Sequence, residues 1–120
     1  MAELLHITER VTWREAVRSG EYRMSTRGVT LAEQGFIHCS LRHQLRPVAE
    51  FVYGDSDADE LVVLVIDSDR VQAIVRYEAP EPGGEHYPHI YGALPVSAVT
   101  EVVAVSRDAA GRLVLPGERP

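Results

Sequence analysis

The longest apolar run in the chain is residues 61–66, six consecutive residues that are mostly branched at the β carbon. Such a run predicts a strand that is buried on both faces and therefore central in its sheet. Residues 73–79 instead alternate, with Ile74, Arg76 and Glu78 on one face, which is typical of an outer strand. Short apolar runs at 4–8 and 100–105 predict further strands.

A first helix is predicted between Thr12 and Gly20. Thr12 and Glu15 have the spacing of a capping box, and Gly20 is a natural end. The apolar positions of this helix predict an inward stripe of Trp13, Ala16 and Val17. A single helical turn is predicted at 31–34 and ends at Gly35.

A third helix is predicted after residue 40, where apolar residues keep near-helical spacing at Leu41, Leu45, Val48, Ala49 and Val52. Ser40 is its candidate cap. Pro47 interrupts this pattern. Either the helix begins afresh with Pro47 in its first turn, or it is kinked at this proline.

Helices thus fall mainly in the first half of the chain and strands in the second. This segregation predicts an α+β domain with a mainly antiparallel sheet rather than a doubly wound fold. At 120 residues the chain is long enough for one core, so we assign residues 1–115 to a single domain. Residues 116–120 are expected to form a frayed tail.

The net charge of −6 argues against extended nucleic-acid binding and against an anionic membrane surface, since both need clustered cations. One small anionic ligand held by a few arginines is compatible with it. The single cysteine excludes an internal disulfide and favours a reducing compartment. No apolar run approaches the roughly 20 residues of a membrane span, and no signal peptide is recognisable. We therefore expect a cytoplasmic protein, while the sequence leaves its oligomeric state open.

Chemically capable side chains concentrate in residues 35–40. The strand period of two places Phe36, His38 and Ser40 on one face, with Ile37 and Cys39 on the other. His38 is therefore expected beside a buried surface, where its pKa can be shifted across neutrality. Other histidines lie in apolar or aromatic stretches, and the loop 80–84 is long enough to fold over a site.

These stretches predict one shared pocket lined by His6, His38, Ser40, Tyr87, His89 and Tyr91. Histidine and hydroxyl donors beside aromatic rings can hold ribose hydroxyls, stack a flat heterocycle and orient phosphate. The alternative is that the tyrosines fill the core with their hydroxyls at the surface.

Glu78, at a strand end before the loop, can stabilise positive charge at an anomeric carbon, or it can form an exposed ion pair with Arg76.

Two other kinds of site are not favoured. Five histidines suggest a metal, but Pro88 keeps His86 and His89 from sharing a helix face, and no metal site is predicted. Cys39 could be a nucleophile with a histidine base, although on a strand His38 would point to the opposite face. A buried, inert thiol is the favoured interpretation of Cys39.

The chain also resembles a known family in four segments, namely His6 with Thr8, residues 31–40, Tyr77-Glu78 before the loop, and residues 87–95. They resemble the family called domain of unknown function 952, and the likeness spans roughly residues 4–105. Members are similar in fold to the ADP-ribosyltransferase superfamily. That fold is a compact α+β domain of two facing antiparallel sheets, with a nicotinamide dinucleotide in the cleft between them.

In the RNA 2′-phosphotransferase branch of that superfamily, an early His-Gly-Thr segment holds the dinucleotide and a later His-Val-His-Leu-Ser segment forms the facing strand. Residues 6–8 and 36–40 resemble these two segments, and Glu78 resembles a late glutamate of the superfamily. Ile7 departs from the pattern, which has glycine there. The phosphate-gripping arginines have only three candidate counterparts, Arg10, Arg23 and Arg27.

The resemblance implies a cleft for a nucleotide-like or sugar-bearing ligand, with NAD as the candidate cofactor of a transferase. It implies catalytic roles for His6, His38 and Glu78, and ligand contacts from Thr8, Ser40, Tyr87, His89 and Tyr91. Two alternatives stay open. One is a non-catalytic module that binds a small metabolite, and the other is a biosynthetic enzyme with acid/base histidines and no dinucleotide.

Overall fold

The computed structural model describes residues 2–118, which form an α+β arrangement of small sheets and three α-helices. The helices are α1 (Arg10–Ser19), α2 (Leu31–Gln34) and α3 (Leu45–Tyr53). The strands are β1 (Glu3–Glu9), β2 (Glu21–Tyr22), β3 (Met24–Thr26), β4 (Val29–Thr30), β5 (Ile37–His38), β6 (Leu61–Asp67), β7 (Ile74–Glu78), β8 (Tyr87–Tyr91), β9 (Leu94–Pro95), β10 (Val99–Ala104), β11 (Ser106–Arg107) and β12 (Leu113–Val114). Every strand pair in residues 2–118 is antiparallel, which confirms the predicted α+β class with mainly antiparallel sheets.

Strand β6 is the centre of the first sheet, in the order β1-β6-β10. Its side chains alternate between two cores. Leu61, Val63 and Val65 pack under α3 and the β11-β12 hairpin. Val62, Leu64 and Ile66 pack on the opposite face, against residues of α1 and of β5 and β8. The predicted burial of this strand on both faces is confirmed, and its continuous apolar sequence follows from serving two cores at once.

The second sheet has the order β5-β8-β7, and its two faces differ in chemistry. Ile37, Val75 and Ile90 belong to or pack against the second core. On the other face His89 lies opposite His38 on one neighbouring strand and Arg76 on the other, while Glu78 lies opposite Tyr87. As predicted, β7 is an edge strand. The sheet therefore buries its aliphatic face and presents its titratable side chains together.

The two three-stranded sheets meet where Ser40 forms a bridge to Leu5. The Leu5 amide donates to the Ser40 carbonyl, and the Ser40 amide donates to the Leu5 carbonyl, each at 2.8 Å. The sequence predicted Ser40 as the cap of the following helix. This prediction is wrong, because the backbone groups of Ser40 join the two sheets. The bridge places the segment after β5 along the edge of β1.

The start of α1 differs from the prediction. The helix begins at Arg10, directly after β1, so that Thr12 lies inside it and Glu9 occupies the cap position without a side-chain bond. Val17 is 54% exposed, whereas Ala16 is buried, because one residue turns the chain about 100° around the helix axis. The predicted inward position of Val17 is therefore wrong. Gly20 ends the helix at φ +93°, as predicted.

The third helix begins at Leu45 after a short 3-10 turn at residues 42–44. Pro47 therefore lies in its first turn, where the missing N–H has no partner to lose, and the first of the two predicted alternatives is correct. The predicted turn at 31–34 is α2, closed by a capping box between Thr30 and Glu33 and ended by Gly35.

In the predicted tail, residues 119 and 120 lie outside the described residues. The Glu118 amide donates to the Leu115 carbonyl, and the Glu118 carboxylate accepts from the Arg46 guanidinium. Within residues 2–118, no helix has the length and apolar character that crossing a membrane requires.

Candidate functional site

A cavity of about 360 Å³ opens between α3, the edge of β1 and the polar face of the second sheet. This volume is within the range of small-molecule sites. One wall is apolar and consists of Leu5, Ile7, Leu45, Val48, Phe51 and Val52. A second group of lining residues is polar and consists of His6, His38, Ser40, Tyr87 and His89, while Thr26, Cys39, Tyr53 and Pro80 complete the lining. We refer to these as the apolar wall and the polar wall.

His89 is the most constrained residue of the polar wall. It is 5% exposed, and its ring stacks on the Phe36 ring with centroids 4.0 Å apart. Its Nδ1 lies 2.8 Å from Oε1 of Glu78, and the same oxygen accepts the Tyr91 hydroxyl at 2.5 Å. The position of the His89 ring is thus fixed by the Phe36 ring and by the Glu78 carboxylate, which the Tyr91 hydroxyl holds in turn.

The Glu78 contacts determine which nitrogen of His89 faces a ligand. The hydrogen bonds from Tyr91 and then His89 lower the pKa of Glu78, so its carboxylate is ionised at neutral pH and can only accept. Nδ1 of His89 must therefore carry the hydrogen. In the neutral ring Nε2 is then an acceptor, and within residues 2–118 it has no hydrogen-bond partner.

His38 stands beside His89, with ring centroids 5.1 Å apart in an edge-to-face arrangement. Burial, and secondarily the repulsion that would arise if both His38 and His89 carried a proton, lower the pKa of His38, so this imidazole is neutral at pH 7. Among the described residues neither ring nitrogen of His38 has a hydrogen-bond partner. The polar wall therefore presents two adjacent imidazoles that are available to a ligand.

His6 lines the same cavity, but the fold occupies both of its nitrogens. Nδ1 lies 2.5 Å from the His38 carbonyl oxygen and Nε2 lies 2.7 Å from the Tyr22 hydroxyl, which is 2.8 Å from the Thr8 hydroxyl. Burial lowers the pKa of His6 to about 4, so the ring is neutral and donates from Nδ1 to the carbonyl. His6 thus holds the backbone of His38 in place.

The remaining predicted site residues divide into two groups. Ser40 and Tyr87 line the cavity. Thr8 lies behind His6, bonded to Tyr22, while Glu78 and Tyr91 lie behind and beside His89 and do not line the cavity. Among residues 2–118 no ion pair joins Glu78 to Arg76, whose guanidinium lies 5.6 Å from the centre of the Tyr91 ring. The alternative prediction from the sequence, an exposed ion pair between Glu78 and Arg76, is therefore wrong.

Two other chemistries have little support in the described residues. Cys39 is packed in the second core, and burial raises the pKa of its thiol, which suppresses the nucleophilic thiolate. Within residues 2–118 no three histidine, cysteine or carboxylate side chains are grouped as metal ligands.

Comparison with known protein families identifies the family of this chain. A family model described as "Protein of unknown function (DUF952)" matches residues 7–102. The chain belongs to the DUF952 family. The match includes every polar-wall residue except His6. A search of curated proteins finds no match.

Solved structures of a similar protein support the fold. The crystal structure of protein CC0527 from Caulobacter crescentus has a TM-score of 0.75 at 28% identity, covering 95% of each chain. The solution NMR structure of CC0527 has a TM-score of 0.69 at 28% identity, covering 93% of this chain and 91% of that one. The likeness extends over nearly the whole of both chains.

Sequence reasoning missed several residues of this DUF952 site. Tyr22 lies in an unremarkable polar stretch on β2, and its contact with His6 forms only in the folded chain. Phe36 was interpreted as a strand former but is the plane on which His89 stacks. The whole apolar wall from α3 was missed. One signal was present: Phe51 is an aromatic residue that breaks the apolar spacing of its helix, and it is 91% exposed at the cavity.

Proposed function

We propose that this DUF952 chain binds a small hydroxyl-bearing ligand, such as a sugar or a nucleoside, and that His89 acts on the ligand as a general base. The observation that carries the proposal is the hydrogen bond from Nδ1 of His89 to Glu78 at 2.8 Å. It leaves Nε2 as the acceptor in a cavity of about 360 Å³.

In the proposed step, a ligand O–H donates to Nε2 of His89, and the proton moves to that nitrogen as the oxygen gains nucleophilic character. The imidazolium that forms is stabilised by the adjacent Glu78 carboxylate. His38 and Ser40 line the same wall and supply further hydrogen bonds to the ligand. Tyr87 offers a ring against which a sugar or a heterocycle can pack.

Glu78 has a positioning role in this proposal. The sequence offered it for direct contact with a ribose, and that contact stays a prediction. Its position supports the indirect role, since one of its oxygens accepts both the His89 ring and the Tyr91 hydroxyl. Fixing the tautomer and the ring plane of a base is the task of the acid in a catalytic triad.

The binding half of the proposal is tested by two substitutions of one residue. His89→Asn keeps a donor near the position of Nδ1 and removes the acceptor at Nε2, whereas His89→Gln places an amide near Nε2. A melting-temperature screen against neutral sugars, nucleosides, nucleotides and sugar phosphates identifies stabilising compounds. Their effect should be lost in His89→Asn and partly kept in His89→Gln. Equal stabilisation of the wild type and His89→Asn would contradict the proposal.

The catalytic half is tested on Glu78→Gln with any stabilising compound. If His89 is a general base, turnover should fall by about 100-fold or more while binding changes little, because the amide no longer stabilises an imidazolium. A chain without turnover in either form is a metabolite-binding module, and the catalytic half is then wrong.

A transferase that uses NAD, with an ADP-ribosyltransferase-like cleft, is the second candidate function. Two three-stranded antiparallel sheets that meet at the Leu5–Ser40 bridge support it, since the superfamily holds its dinucleotide between two such sheets. No arginine lines the cavity within the described residues. Of the three candidate arginines, Arg27 lies at the rim, where it donates to the Val52 carbonyl.

NAD binding has a direct test. A true ligand at a hundredfold excess over its dissociation constant stabilises the folded state by about 2.7 kcal/mol. If NAD is the cofactor, it should raise the melting temperature of the wild type, and Arg27→Ala should reduce that rise. No rise at millimolar NAD would exclude this candidate and leave the general-base proposal untouched.

A further inference from the structure

The two walls of the cavity carry information about the class of ligand. The apolar wall comes from α3 and β1, whereas the polar wall comes mainly from β5, β8 and the segment that follows β5. A ligand that fills this space contacts aliphatic side chains along one side and hydrogen-bonding groups along the other. Its shape must therefore combine an apolar body with a polar end.

The polar wall also lacks permanent charge. No arginine, lysine, aspartate or glutamate lines the cavity among residues 2–118. The imidazole of His38 is neutral because burial lowers its pKa. The guanidinium of Arg27, which follows the lining residue Thr26, donates to the Val52 carbonyl and lies 3.6 Å from the Asp55 carboxylate, which partly neutralises it. A carboxylate or phosphate held inside would thus be desolvated without a counter-charge.

We infer that the cavity selects uncharged ligands with an apolar body and one hydroxyl or amide N–H group, the polar group lying against His38 and His89. This rests on the proposed general-base function and goes further, because it separates nucleosides and neutral alcohols from nucleotides, sugar phosphates and carboxylates. The donor requirement follows from Nε2 of His89, which accepts, and the apolar requirement follows from Val48, Phe51 and Val52.

The test uses three probes with one shared ring: benzyl alcohol, benzoate and benzylammonium. Each is titrated into the uniformly ¹⁵N-labelled chain, and backbone amide shifts report both the affinity and the site. Benzyl alcohol should perturb the amides of residues 38–40 and 48–52 and those of Tyr87 and His89. Benzoate and benzylammonium should bind about tenfold more weakly or worse, because each loses hydration without gaining a partner. Adenosine and its 5′-monophosphate form a second matched pair with the same expected order.

Three variants test whether the apolar wall determines this selectivity. Phe51→Ala should weaken benzyl alcohol binding without affecting stability, since Phe51 is 91% exposed and yet lines the cavity. Val102→Ala is the matched control, because Val102 is also an exposed large hydrophobic residue but lies on β10 and does not line the cavity. Val48→Lys adds the missing cation to the wall, and it should raise the affinity for benzoate relative to benzyl alcohol.

The outcomes separate this inference from the proposed function. Tighter binding of benzyl alcohol than of the two charged probes, with amide shifts confined to the cavity, supports both the ligand class and the proposed function. Shifts in the cavity with equal or tighter binding of benzoate would overturn the ligand class while leaving the site and its base in place. Absence of cavity shifts with every probe, including adenosine, would overturn the inference and the proposed function together.

Discussion

Histidines of the same chain have opposite roles here, and the difference arises from their partners. Both nitrogens of His6 are occupied by the His38 carbonyl and the Tyr22 hydroxyl. His89 has a partner only at Nδ1. Because a neutral imidazole has one donor and one acceptor, His6 is satisfied within the fold, whereas His89 keeps its acceptor for a ligand. Burial alone would not distinguish them, since both are nearly inaccessible.

The buried His6 predicts a pH-dependent stability. Its pKa is about 4 in the folded state and about 6.5 in the unfolded chain, so the unfolded chain binds the extra proton between these values. The stabilisation is complete above about pH 6.5 and is lost as the pH falls toward 4, a change of about 3 kcal/mol. Urea unfolding from about pH 7.5 to 4 should reveal this slope, and His6→Asn should flatten it.

Two measurements control this prediction. His38→Ala should keep most of the slope, because His38 is only partly buried. An NMR titration of the native imidazoles should give His6 a midpoint near pH 4. A His6 midpoint near 6.5 would show that the buried ring accepts a proton without unfolding and would contradict the prediction.

Chemical modification should separate the histidines by the same logic. Diethylpyrocarbonate acylates an available imidazole nitrogen, so His6 should stay unmodified in the folded chain. His38 and His89 should react, more slowly than His43 and His86, which are exposed and serve as internal references. Peptide mass spectrometry measures each rate. Modification of His6 as fast as that of His89 would show that its hydrogen-bond network does not hold.

At the scale of elements, the loop between β7 and β8 is tied to the start of α3. The buried Gln44 donates to the His86 carbonyl at 2.7 Å and to Glu85 at 3.0 Å, and it accepts from the Leu41 amide at 2.9 Å. Pro80 at the other end of this loop lines the cavity. One side chain therefore connects the helix of the apolar wall with the loop that leads into the polar wall.

We expect Gln44→Ala to cost about 2 kcal/mol of stability, because it removes three hydrogen bonds of a buried side chain. Amide hydrogen exchange of residues 79–87 should become faster than in the wild type. His43→Ala is the matched control, since His43 bonds the same Glu85 carboxylate but is exposed, and its loss should cost less than about 1 kcal/mol. Similar effects of the two substitutions would refute the anchoring role of Gln44.

At the scale of the whole molecule, β6 joins two cores that would otherwise be separate. Leu61 faces the core under α3, and Leu64 faces the core beneath the second sheet. Because alternate residues of one strand serve both, neither core can lose its packing without moving the strand that supports the other. The molecule is therefore expected to unfold as one cooperative unit.

This expectation is tested with Leu61→Ala and Leu64→Ala, which remove the same group from the two cores. Each substitution should lower the free energy of unfolding by about 2–5 kcal/mol. The fluorescence of Trp13, which packs against the second core, and the far-ultraviolet circular dichroism should give the same midpoint in both variants. A Leu61→Ala variant that loses circular dichroism before the Trp13 signal would indicate that the two cores unfold independently.

The sequence by itself determined the elements whose causes are local. Six consecutive apolar residues required a strand buried on both faces, and Gly20 and Gly35 end their helices because the left-handed backbone there favours glycine. It also predicted that His38 and Ser40 share a face, because side chains alternate along a strand, and that both line one pocket with Tyr87 and His89.

Only the tertiary structure decided what each of these residues does. Glu78 and His89 are eleven residues apart, and the antiparallel pairing of β7 with β8 puts them within 2.8 Å. The hydrogen bond between His6 and Tyr22 and the position of the apolar wall from α3 likewise depend on contacts between different elements of the fold. Hydrogen-bond partners fix a histidine's tautomer, and partners of this kind are set by packing, which local periodicity does not encode.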